Sequence, residues 1–423
     1  MAETDVVVTD EAQDQFGKLG EADIVVGIPS YNNARTIAHV VRAVSAGLAK
    51  HFHEQRSVIV NSDGGSKDGT QKVVLDTPVS TDSLLLMRHP LQPVHRISTP
   101  YVGLPGKGSA LRAIFRAAQR LKAKACAVVD SDLRSITPDW IDLLVRPVLE
   151  RGVDYVCPYY RRHRYDGTIT NSIVYPLTRA LYGTRVRQPI GGEFGLSAKV
   201  VDALLGKNVW ETDVARFGVD IWMTTTALAE RFKVCQVFLG AKIHDPKDPG
   251  ADLTAMLVQV VGSLFTLMEE HEKSWKNVRG SVPAPLYGFP YAVGLEPVKV
   301  NPEKMIHAYQ QGVRDLMPVY ESFLHAEVVA ELGRLTEAPP DKFILDDSLW
   351  ASVVYEYAAA FHKRAIDRQH LLKSLTPLYL GWVSSYVVRT QTDSDDQAEQ
   401  KIELLCLAYE QLKTRLVERW DSK

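Results

Sequence analysis

The feature that most constrains the fold is the alternation of short apolar runs with amphipathic segments along the first half of the chain. The runs at 24–28, 58–60 and 126–129 are rich in β-branched residues and too short for helices, which predicts buried strands. The segments at 36–50 and 109–121 carry apolar residues at helical spacing. This alternation predicts an α/β fold with an open, mostly parallel sheet that helices cover on both faces.

The pattern changes after residue 249, where strand-like runs give way to long helical ones. We therefore divide the 423 residues into a flexible N-terminal arm (1–21), an α/β domain (22–249) and a helical C-terminal domain (250–423). A stretch rich in proline and glycine at 280–297 predicts an irregular connection. The remaining predicted elements are strands at 84–86 and 234–242 and helices at 138–150, 252–273, 302–332, 348–363, 370–390 and 398–420.

Composition excludes several classes of protein. A net charge of −2 argues against a general electrostatic grip on nucleic acid or on an anionic membrane. The four cysteines lie far apart, which predicts reduced thiols rather than disulfides or a zinc site. The N-terminus resembles no signal peptide, and the most apolar stretch, 253–268, is short for a membrane span. We expect a cytoplasmic protein without nucleic-acid or membrane partners.

Two loops that follow predicted strands have the composition of a nucleoside site, because ligands of open α/β sheets bind at the carboxyl ends of the strands. The first contains Pro29, Tyr31 and Asn33, an aromatic ring and an amide that suit a base and a ribose. The second begins at Asp63 and continues into the glycine-rich turn 64–69. Ordinary turns that cap the following helices remain the alternative for both loops.

The loop at 103–109 runs through Gly106 and Lys107 into a predicted helix. Glycines let a backbone approach a phosphate, and a helix N-terminus with a lysine supplies positive potential. The spacing fits neither a Walker A motif nor the dinucleotide fingerprint. Contact with a phosphate is favoured over a simple helix-entry turn.

Asp130, Ser131 and Asp132 end the apolar strand predicted at 126–129. Two carboxylates at the end of a buried strand repel each other unless a cation or hydrogen-bond donors offset them. A divalent cation shared with a diphosphate would do so, since hard cations prefer oxygen ligands. An Asp-x-Asp pair is common in proteins, but at the end of a buried strand it indicates a site for a divalent cation and a diphosphate.

Together these motifs resemble a nucleotide-sugar-dependent glycosyltransferase of the GT-A fold, with a Rossmann-like sheet. The closer resemblance is to the retaining enzymes that make mannosylglycerate, glucosylglycerate or their 3-phosphoglycerate counterparts. The resemblance covers about residues 22–275 and extends more weakly to 346–350. The motifs that carry it are P-G-K-G at 105–108, D-S-D-L at 130–133, Q-P-I-G-G-E at 188–193, G-V-D at 218–220 and I-H-D at 243–245.

The resemblance implies roles for individual residues. It makes Asp132 and His244 the ligands of Mg²⁺ or Mn²⁺, although a lone histidine taken by itself is more often structural. It makes Glu193, Asp220 and the backbone carbonyl of Ile190 the catalytic set, and it places the nucleotide-sugar donor against nine further residues. The alternative for both carboxylates is a charge at a helix N-terminus. The donor-site residues are Pro29, Tyr31, Asn33, Asp63, Gly106, Lys107, Asp130, Ser131 and Gly191.

The resemblance also implies an acceptor. Residues 166–170 align with a phosphoglycerate-binding G-R-V-T turn, in which Thr168 replaces the arginine and Thr170 matches an acceptor-contacting threonine. Loss of the guanidinium removes the strongest phosphate ligand, which favours D-glycerate over 3-phosphoglycerate. Arg161, with Arg162 and Arg164, either compensates or forms a solvated surface.

The implied activity is retaining transfer of a hexose, glucose before mannose, from a GDP-, UDP- or ADP-linked donor. Glucosyl- or mannosyl-3-phosphoglycerate synthesis is the first alternative, and an inverting GT-A polysaccharide transferase is the second. A nucleotidyltransferase is disfavoured because the loop at 29–33 lacks lysine and arginine. A non-catalytic scaffold is disfavoured because Lys107, Asp132 and His244 are intact. A homodimer through the helical region stays open.

Overall fold

The structure of the protein is a computed structural model that describes residues 9–78, 95–100, 106–212, 218–243, 253–291, 293–295 and 298–422. The strand predicted at 84–86 lies outside these residues. The strands, in chain order, are β1 (Ile24–Ser30), β2 (Ser57–Asp63), β3 (His95–Pro100), β4 (Ala125–Val128), β5 (Tyr155–Arg161), β6 (Thr184–Arg185), β7 (Phe194–Ser197), β8 (Val234–Ala241), β9 (Val282–Pro283) and β10 (Leu286–Tyr287).

The helices alternate with these strands at first and then follow one another. They are α1 (Asp10–Leu19), α2 (Ile37–His51), α3 (Thr70–Asp76), α4 (Lys107–Arg120), α5 (Pro138–Arg151), α6 (Tyr175–Tyr182), α7 (Ala198–Leu205), α8 (Val219–Ala229), α9 (Leu253–Glu270), α10 (Glu272–Trp275), α11 (Pro302–Glu321), α12 (Ala326–Leu335), α13 (Asp347–Lys363), α14 (Arg368–Thr390) and α15 (Asp395–Asp421). A π-helical turn, Thr170–Val174, precedes α6, and a 3-10 turn, Pro340–Lys342, precedes α13.

The chain forms two compact units that interleave in sequence. Unit 1 comprises residues 1–161, 190–247 and 284–294, and unit 2 comprises 162–189, 248–283 and 295–423. The sequence predicted one boundary near residue 249 instead. Residues 162–189 join the helical unit because they contact its helices. For example, the indole N–H of Trp350 in α13 donates to the backbone carbonyl of Ser172 at 2.9 Å.

Unit 1 is built on an eight-stranded sheet in the order β10-β8-β5-β7-β4-β1-β2-β3. Every neighbouring pair is parallel except those of β7, which runs antiparallel to both β4 and β5. The carboxyl ends of seven strands therefore lie at one edge of the sheet. Because β7 runs the other way, its first residue lies at that same edge. The residues that precede β7 therefore reach the predicted ligand-binding edge.

Helices cover both faces of this sheet, as the sequence predicted. Val44 of α2 and Ile141 of α5 belong to one buried cluster with Val26 of β1. On the opposite face Gly27 accommodates α4, since a Cβ at that position would lie 2.3 Å from a side-chain carbon of Ile114. Every residue of β1 is buried, because successive side chains of a strand point to opposite faces of the sheet and both faces are covered.

Unit 2 is mainly helical, with one short parallel pair between β6 and β9. Its interior buries large aromatic side chains, including Trp275, Trp350 and Trp382. It also buries Arg179, whose guanidinium forms ion pairs with Glu403 and Glu410. Pairing is what allows a charge to stay inside a helical core.

Three local predictions differ from the structure. The predicted flexible arm contains α1, whose first turn is capped by the Thr9 hydroxyl. The helix predicted at 302–332 is two helices, α11 and α12, because the backbone between them turns away and the His325 N–H donates to Glu356 at 2.6 Å. The connection predicted to be irregular at 280–297 contains β9 and β10.

All four cysteines are free and buried, which confirms the prediction of reduced thiols. Among the described residues, no helix combines the length and the apolar character that a membrane crossing requires.

The packing of β7 beneath α5 yields a prediction. A Cβ at Gly195 would lie 2.1 Å from the backbone carbonyl oxygen of Leu144, an atom that cannot move without shifting α5. We expect Gly195→Ala to destabilise the protein by about 1–3 kcal/mol, as overpacking does. The matched control is Gly17→Ala in α1, where a Cβ meets nothing within 4 Å. A thermal unfolding midpoint that falls equally little for both variants would contradict this description of the sheet.

Candidate active site

Five charged side chains converge at the carboxyl edge of the sheet in unit 1, and we call them the lysine–carboxylate cluster. Asp130 follows β4, Lys242 follows β8, and Glu193 immediately precedes β7. Lys107 is the first residue of α4, and Asp220 lies in the first turn of α8. Four of the five were predicted from sequence as donor-binding or catalytic residues, and the fold brings them together.

Asp130 is the centre of the cluster. Its Oδ1 lies 2.8 Å from Lys107 Nζ, and its Oδ2 accepts a hydrogen bond from Lys242 Nζ at 2.8 Å. Burial opposes ionisation of this carboxyl, but the two ammonium groups, Lys107 first, hold its pKa well below the usual range. Asp130 is therefore a carboxylate at neutral pH, and its charge fixes both lysines.

Lys107 also contacts Asp220, whose Oδ2 accepts a hydrogen bond from Lys107 Nζ at 3.1 Å. Burial favours the neutral amine, yet Asp130 and then Asp220 outweigh it and raise the pKa of Lys107. The other oxygen of Asp220, Oδ1, is buried and has no hydrogen-bond partner within the described part of the chain. A buried acceptor without a donor suits a hydroxyl group of a bound ligand.

Glu193 is fully buried, and it shares the ammonium group of Lys242 with Asp130. Lys242 Nζ donates to both of its oxygens, at 2.9 and 3.0 Å, and the hydroxyl of Tyr160 donates to Oε2. Burial nevertheless dominates these contacts and raises the pKa of Glu193 to about 7. Glu193 therefore changes charge near neutral pH.

Gly192 shows how tightly the backbone approaches this cluster. Its φ is +93°, and a Cβ there would lie 2.3 Å from Asp130 Oδ2 and 2.8 Å from Lys242 Nζ. Only glycine fits this position, both for its conformation and for its contacts. The G-G-E backbone therefore lies directly against the charged groups of the cluster.

Lys242 is the member of the cluster that the sequence prediction missed. The ladder between β5 and β8 shifts register at Tyr159 and Tyr160, so that Tyr160 pairs with Gly240, and Gly240 has a φ of +80°. Such a bulge changes the face toward which the following residues point. The available signal was a lysine at the end of an otherwise apolar strand, directly before I-H-D.

The two predicted nucleoside loops hold each other through side-chain contacts. Asp63 is fully buried, and its carboxylate accepts hydrogen bonds from the N–H groups of Gly65 and Ser66 and from the side chains of Ser30, Ser66 and Gln71. Burial raises its pKa, but these bonds outweigh burial, and the pKa is lowered. Since its oxygens are filled from within the chain, Asp63 orders the loop, and its contact with a donor stays a prediction.

The first loop places its predicted residues unequally. Pro29 is buried within β1, whereas the side chain of Tyr31 is 63% exposed. Asn33 Oδ1 accepts hydrogen bonds from the Tyr31 N–H and from the Ser131 hydroxyl, each at 2.9 Å. The amide therefore ties the first loop to the Asp-Ser-Asp turn, and stacking of the exposed tyrosine ring on a base stays a prediction.

The predicted metal ligands are only partly described. Asp132 is half-buried, and its carboxylate has neither a hydrogen bond nor an ion pair with the residues that the structure places. His244 lies outside the described residues. Within the part of the chain described, no three His, Cys, Asp or Glu side chains are grouped to hold a metal ion. A cation at Asp132 would need His244 or ligand oxygens to complete its coordination.

The remaining donor-side residues border the cluster. Gly106 precedes α4 as its N-cap residue. The carbonyl of Gly191 accepts a hydrogen bond from Lys242 Nζ at 2.8 Å. Ile190 is half-buried and directly precedes this glycine. The catalytic and donor-binding roles of these residues stay predictions.

The predicted acceptor residues, apart from Arg161 at the end of β5, belong to unit 2. Thr168 shares a hydrogen bond with the Tyr379 hydroxyl of α14, and Thr170 is buried in the π-helical turn. Arg164 binds the end of α14 by donating to the Thr390 carbonyl at 2.9 Å, and it pairs with Asp395. Arg164 is therefore held in a structural role, and the acceptor contacts of the threonines and of Arg161 stay predictions.

The raised pKa of Glu193 predicts a pH dependence of stability. The folded protein holds a proton on Glu193 up to about pH 7, whereas the unfolded chain loses it near 4.5. Stability from this group therefore falls as pH rises from about 4.5 to 7, by at most about 1.4 kcal/mol per pH unit. Relative to the wild type, Glu193→Gln should lack this fall. A difference in the unfolding midpoint between the two proteins that stays constant over this range would contradict the assignment.

Comparison with known proteins identifies the family. The glycosyltransferase domain family of mannosylglycerate synthase matches residues 28–266. No curated protein matches the chain significantly. This matched segment contains the end of β1, all five members of the lysine–carboxylate cluster and the start of the helical region.

Several solved structures of glucosyl-3-phosphoglycerate synthase from Mycobacterium tuberculosis are also similar. The complex with phosphoglyceric acid is 23% identical, covering 61% of this chain and 84% of that one at a TM-score of 0.45. The complex with Mn²⁺, UDP and glucosyl-3-phosphoglycerate gives the same identity, coverage and TM-score. The complex with Mg²⁺ and UDP is 23% identical, covering 61% and 83% at a TM-score of 0.44.

The family match spans more than half of the 423 residues and contains the motifs on which the resemblance was based. It confirms the predicted GT-A type of sheet, which the eight-stranded arrangement of unit 1 displays. It also confirms the prediction of an enzyme that transfers a glycosyl group. The chain belongs to the mannosylglycerate synthase family of glycosyltransferases.

Proposed function

We propose that this chain is a retaining transferase that moves a hexose from a nucleoside diphosphate to the 2-hydroxyl of D-glycerate. Glucose is the favoured hexose and mannose the alternative. The observation that carries the proposal is the lysine–carboxylate cluster at the carboxyl edge of the sheet, whose Asp130 lies two residues before Asp132, a carboxylate with no partner among the described residues. The cluster lies where an open α/β sheet binds its ligands.

Lys107 is the member of the cluster that suits a diphosphate, because its ammonium group stands at the N-terminus of the 14-residue helix α4. A diphosphate oxygen would gain a charge-assisted hydrogen bond from Lys107 and the positive end of the helix. Asp130 then keeps Lys107 in place when the ligand is absent.

Asp132 fits a divalent cation bound together with the diphosphate. It offers a hard oxygen ligand with no competing partner among the described residues, and the predicted second ligand is His244. A bound Mg²⁺ or Mn²⁺ would neutralise charge on the departing diphosphate. The similar synthase from Mycobacterium tuberculosis binds UDP together with Mn²⁺ in one complex and with Mg²⁺ in another.

The sugar would lie between Asp220 and the turn at 190–193. Asp220 Oδ1 is buried and has no hydrogen-bond partner among the residues that the structure describes, so it is suited to accept a hydrogen bond from a sugar hydroxyl. In the proposed step the acceptor oxygen bonds to the anomeric carbon while the bond from that carbon to the diphosphate breaks. The acceptor attacks on the face from which the diphosphate departs, through an oxocarbenium-like transition state, and the proton of its hydroxyl passes to the diphosphate. Because attack and departure share one face, retention needs no side-chain nucleophile.

A product assay tests the proposal directly. The enzyme is incubated with Mn²⁺, with UDP-glucose, ADP-glucose, GDP-glucose or GDP-mannose, and with D-glycerate or 3-phosphoglycerate. We expect an α-linked hexosylglycerate, identified from the coupling of its anomeric proton. A β-linked product would contradict retention, and strict use of 3-phosphoglycerate would establish the alternative acceptor.

Metal dependence should run through Asp132. We expect Asp132→Ala or an excess of chelator to remove nearly all transfer, because the diphosphate charge is then left without its counter-ion. The matched control is Asp23→Ala, which removes a carboxylate at the amino end of β1 that pairs with Lys124 at 2.8 Å. Near-normal transfer by Asp132→Ala, or undiminished turnover in chelator, would contradict this role.

Acceptor choice should depend on Thr168. Thr168→Arg adds the guanidinium that phosphate binding favours, and we expect the ratio of kcat/KM for 3-phosphoglycerate over D-glycerate to rise by about one to two orders of magnitude. Thr168→Ala is the control, because it removes the hydrogen bond to Tyr379 without adding a charge. An equal ratio for both variants would remove Thr168 from acceptor recognition.

A further inference from the structure

We propose that Lys242 is a positioning residue that locks the sugar-binding turn at 190–193 onto the carboxylate of Asp130. This inference rests on the proposed function, because it concerns how the same site holds the hexose of its donor. It assigns a task to a residue that none of the sequence motifs singled out.

The contacts of Lys242 reach two separate parts of the chain. Its Nζ donates to Asp130 Oδ2 at 2.8 Å, on the loop after β4. It also donates to the Gly191 carbonyl at 2.8 Å and to the Glu193 carboxylate at 2.9 and 3.0 Å, on the turn before β7. An ammonium group has three protons, and these three residues use all of them.

Burial makes this arrangement rigid. The side chain of Lys242 is only 7% exposed, and that of Glu193 is not exposed. Charge-assisted hydrogen bonds in such a place are strong, and leaving any partner unsatisfied is costly. The chain also invests backbone geometry in the contact, through the bulge at Gly240 and the left-handed Gly192 beside Lys242 Nζ.

The two lysines of the cluster therefore have different tasks. Lys107 contacts the carboxylates of Asp130 and Asp220 and stands at the beginning of α4, where a diphosphate would bind. Lys242 holds a backbone carbonyl one residue after Ile190, whose own carbonyl is predicted to lie near the anomeric carbon. Loss of Lys242 should release the turn and disturb the hexose more than the nucleoside diphosphate.

The test measures dissociation constants with Mn²⁺ for UDP and UDP-glucose, and for GDP and GDP-mannose, together with kcat. The quantity of interest is the ratio of the constant for the nucleoside diphosphate to that for its hexose conjugate. We expect Lys242→Met to lower this ratio and kcat by about 10- to 100-fold and to change nucleoside diphosphate binding much less. Lys107→Met should weaken both ligands of a pair together.

Lys124→Met is the matched control. Lys124 is exposed at the amino end of β4, and its loss should leave every quantity unchanged. If Lys242→Met does not fold, the double variant Lys242→Met/Glu193→Gln is compared with Glu193→Gln alone, since it leaves no unpaired charge on Glu193. An unchanged ratio, whether both ligands weaken equally or neither weakens, would overturn the inference.

The binding measurements need no acceptor, so the two proposals fail in different ways. If the wild type transfers hexose to neither D-glycerate nor 3-phosphoglycerate, the proposed acceptor chemistry is wrong. The ratio for Lys242→Met still decides the role of Lys242 in that case. If the wild type transfers normally and the ratio does not change, only the role of Lys242 is wrong.

Discussion

The carboxylate of Asp130, held between Lys107 and Lys242, is the interaction on which the site depends. Each oxygen binds one ammonium group at 2.8 Å, and those two groups in turn contact Asp220 and Glu193. Lys242 and Glu193 are buried, so removing one partner of that pair would leave the other without compensation, which is destabilising. Ion pairs thus connect four parts of the chain: the loop after β4, the start of α4, the first turn of α8 and the turn before β7.

The sheet determines why these charges meet. Seven strands run in one direction and β7 runs in the other, so β7 places the residue that precedes it beside residues that follow β4 and β8. Lys242 and Glu193 lie 49 positions apart in sequence and are thereby brought into direct contact. Close approach requires Gly192, and the bulge at Gly240 turns the end of β8 toward it.

Much of this could be predicted from the sequence. Strand and helix periodicity located most elements of the sheet, and carboxylates at a strand end with a lysine at a helix entry located Asp130 and Lys107. The role of Lys242 could not be predicted, because it depends on a register shift that leaves no periodic signal. The hydrogen bonds that Asp63 accepts from within the chain could not be predicted either. In sequence, a carboxylate that orders its own loop is indistinguishable from one that binds a ligand. The break between α11 and α12 depends on Glu356, a distant residue.

A crystal structure of the enzyme with UDP-glucose and Mn²⁺ is the most direct test of the central claim. The account predicts a diphosphate within hydrogen-bond distance of Lys107, with the metal on Asp132. It also predicts that Lys242 still binds Asp130 and the Gly191 carbonyl. A donor bound away from the carboxyl edge of the sheet, with the lysine–carboxylate cluster unchanged and free of ligand, would contradict the account.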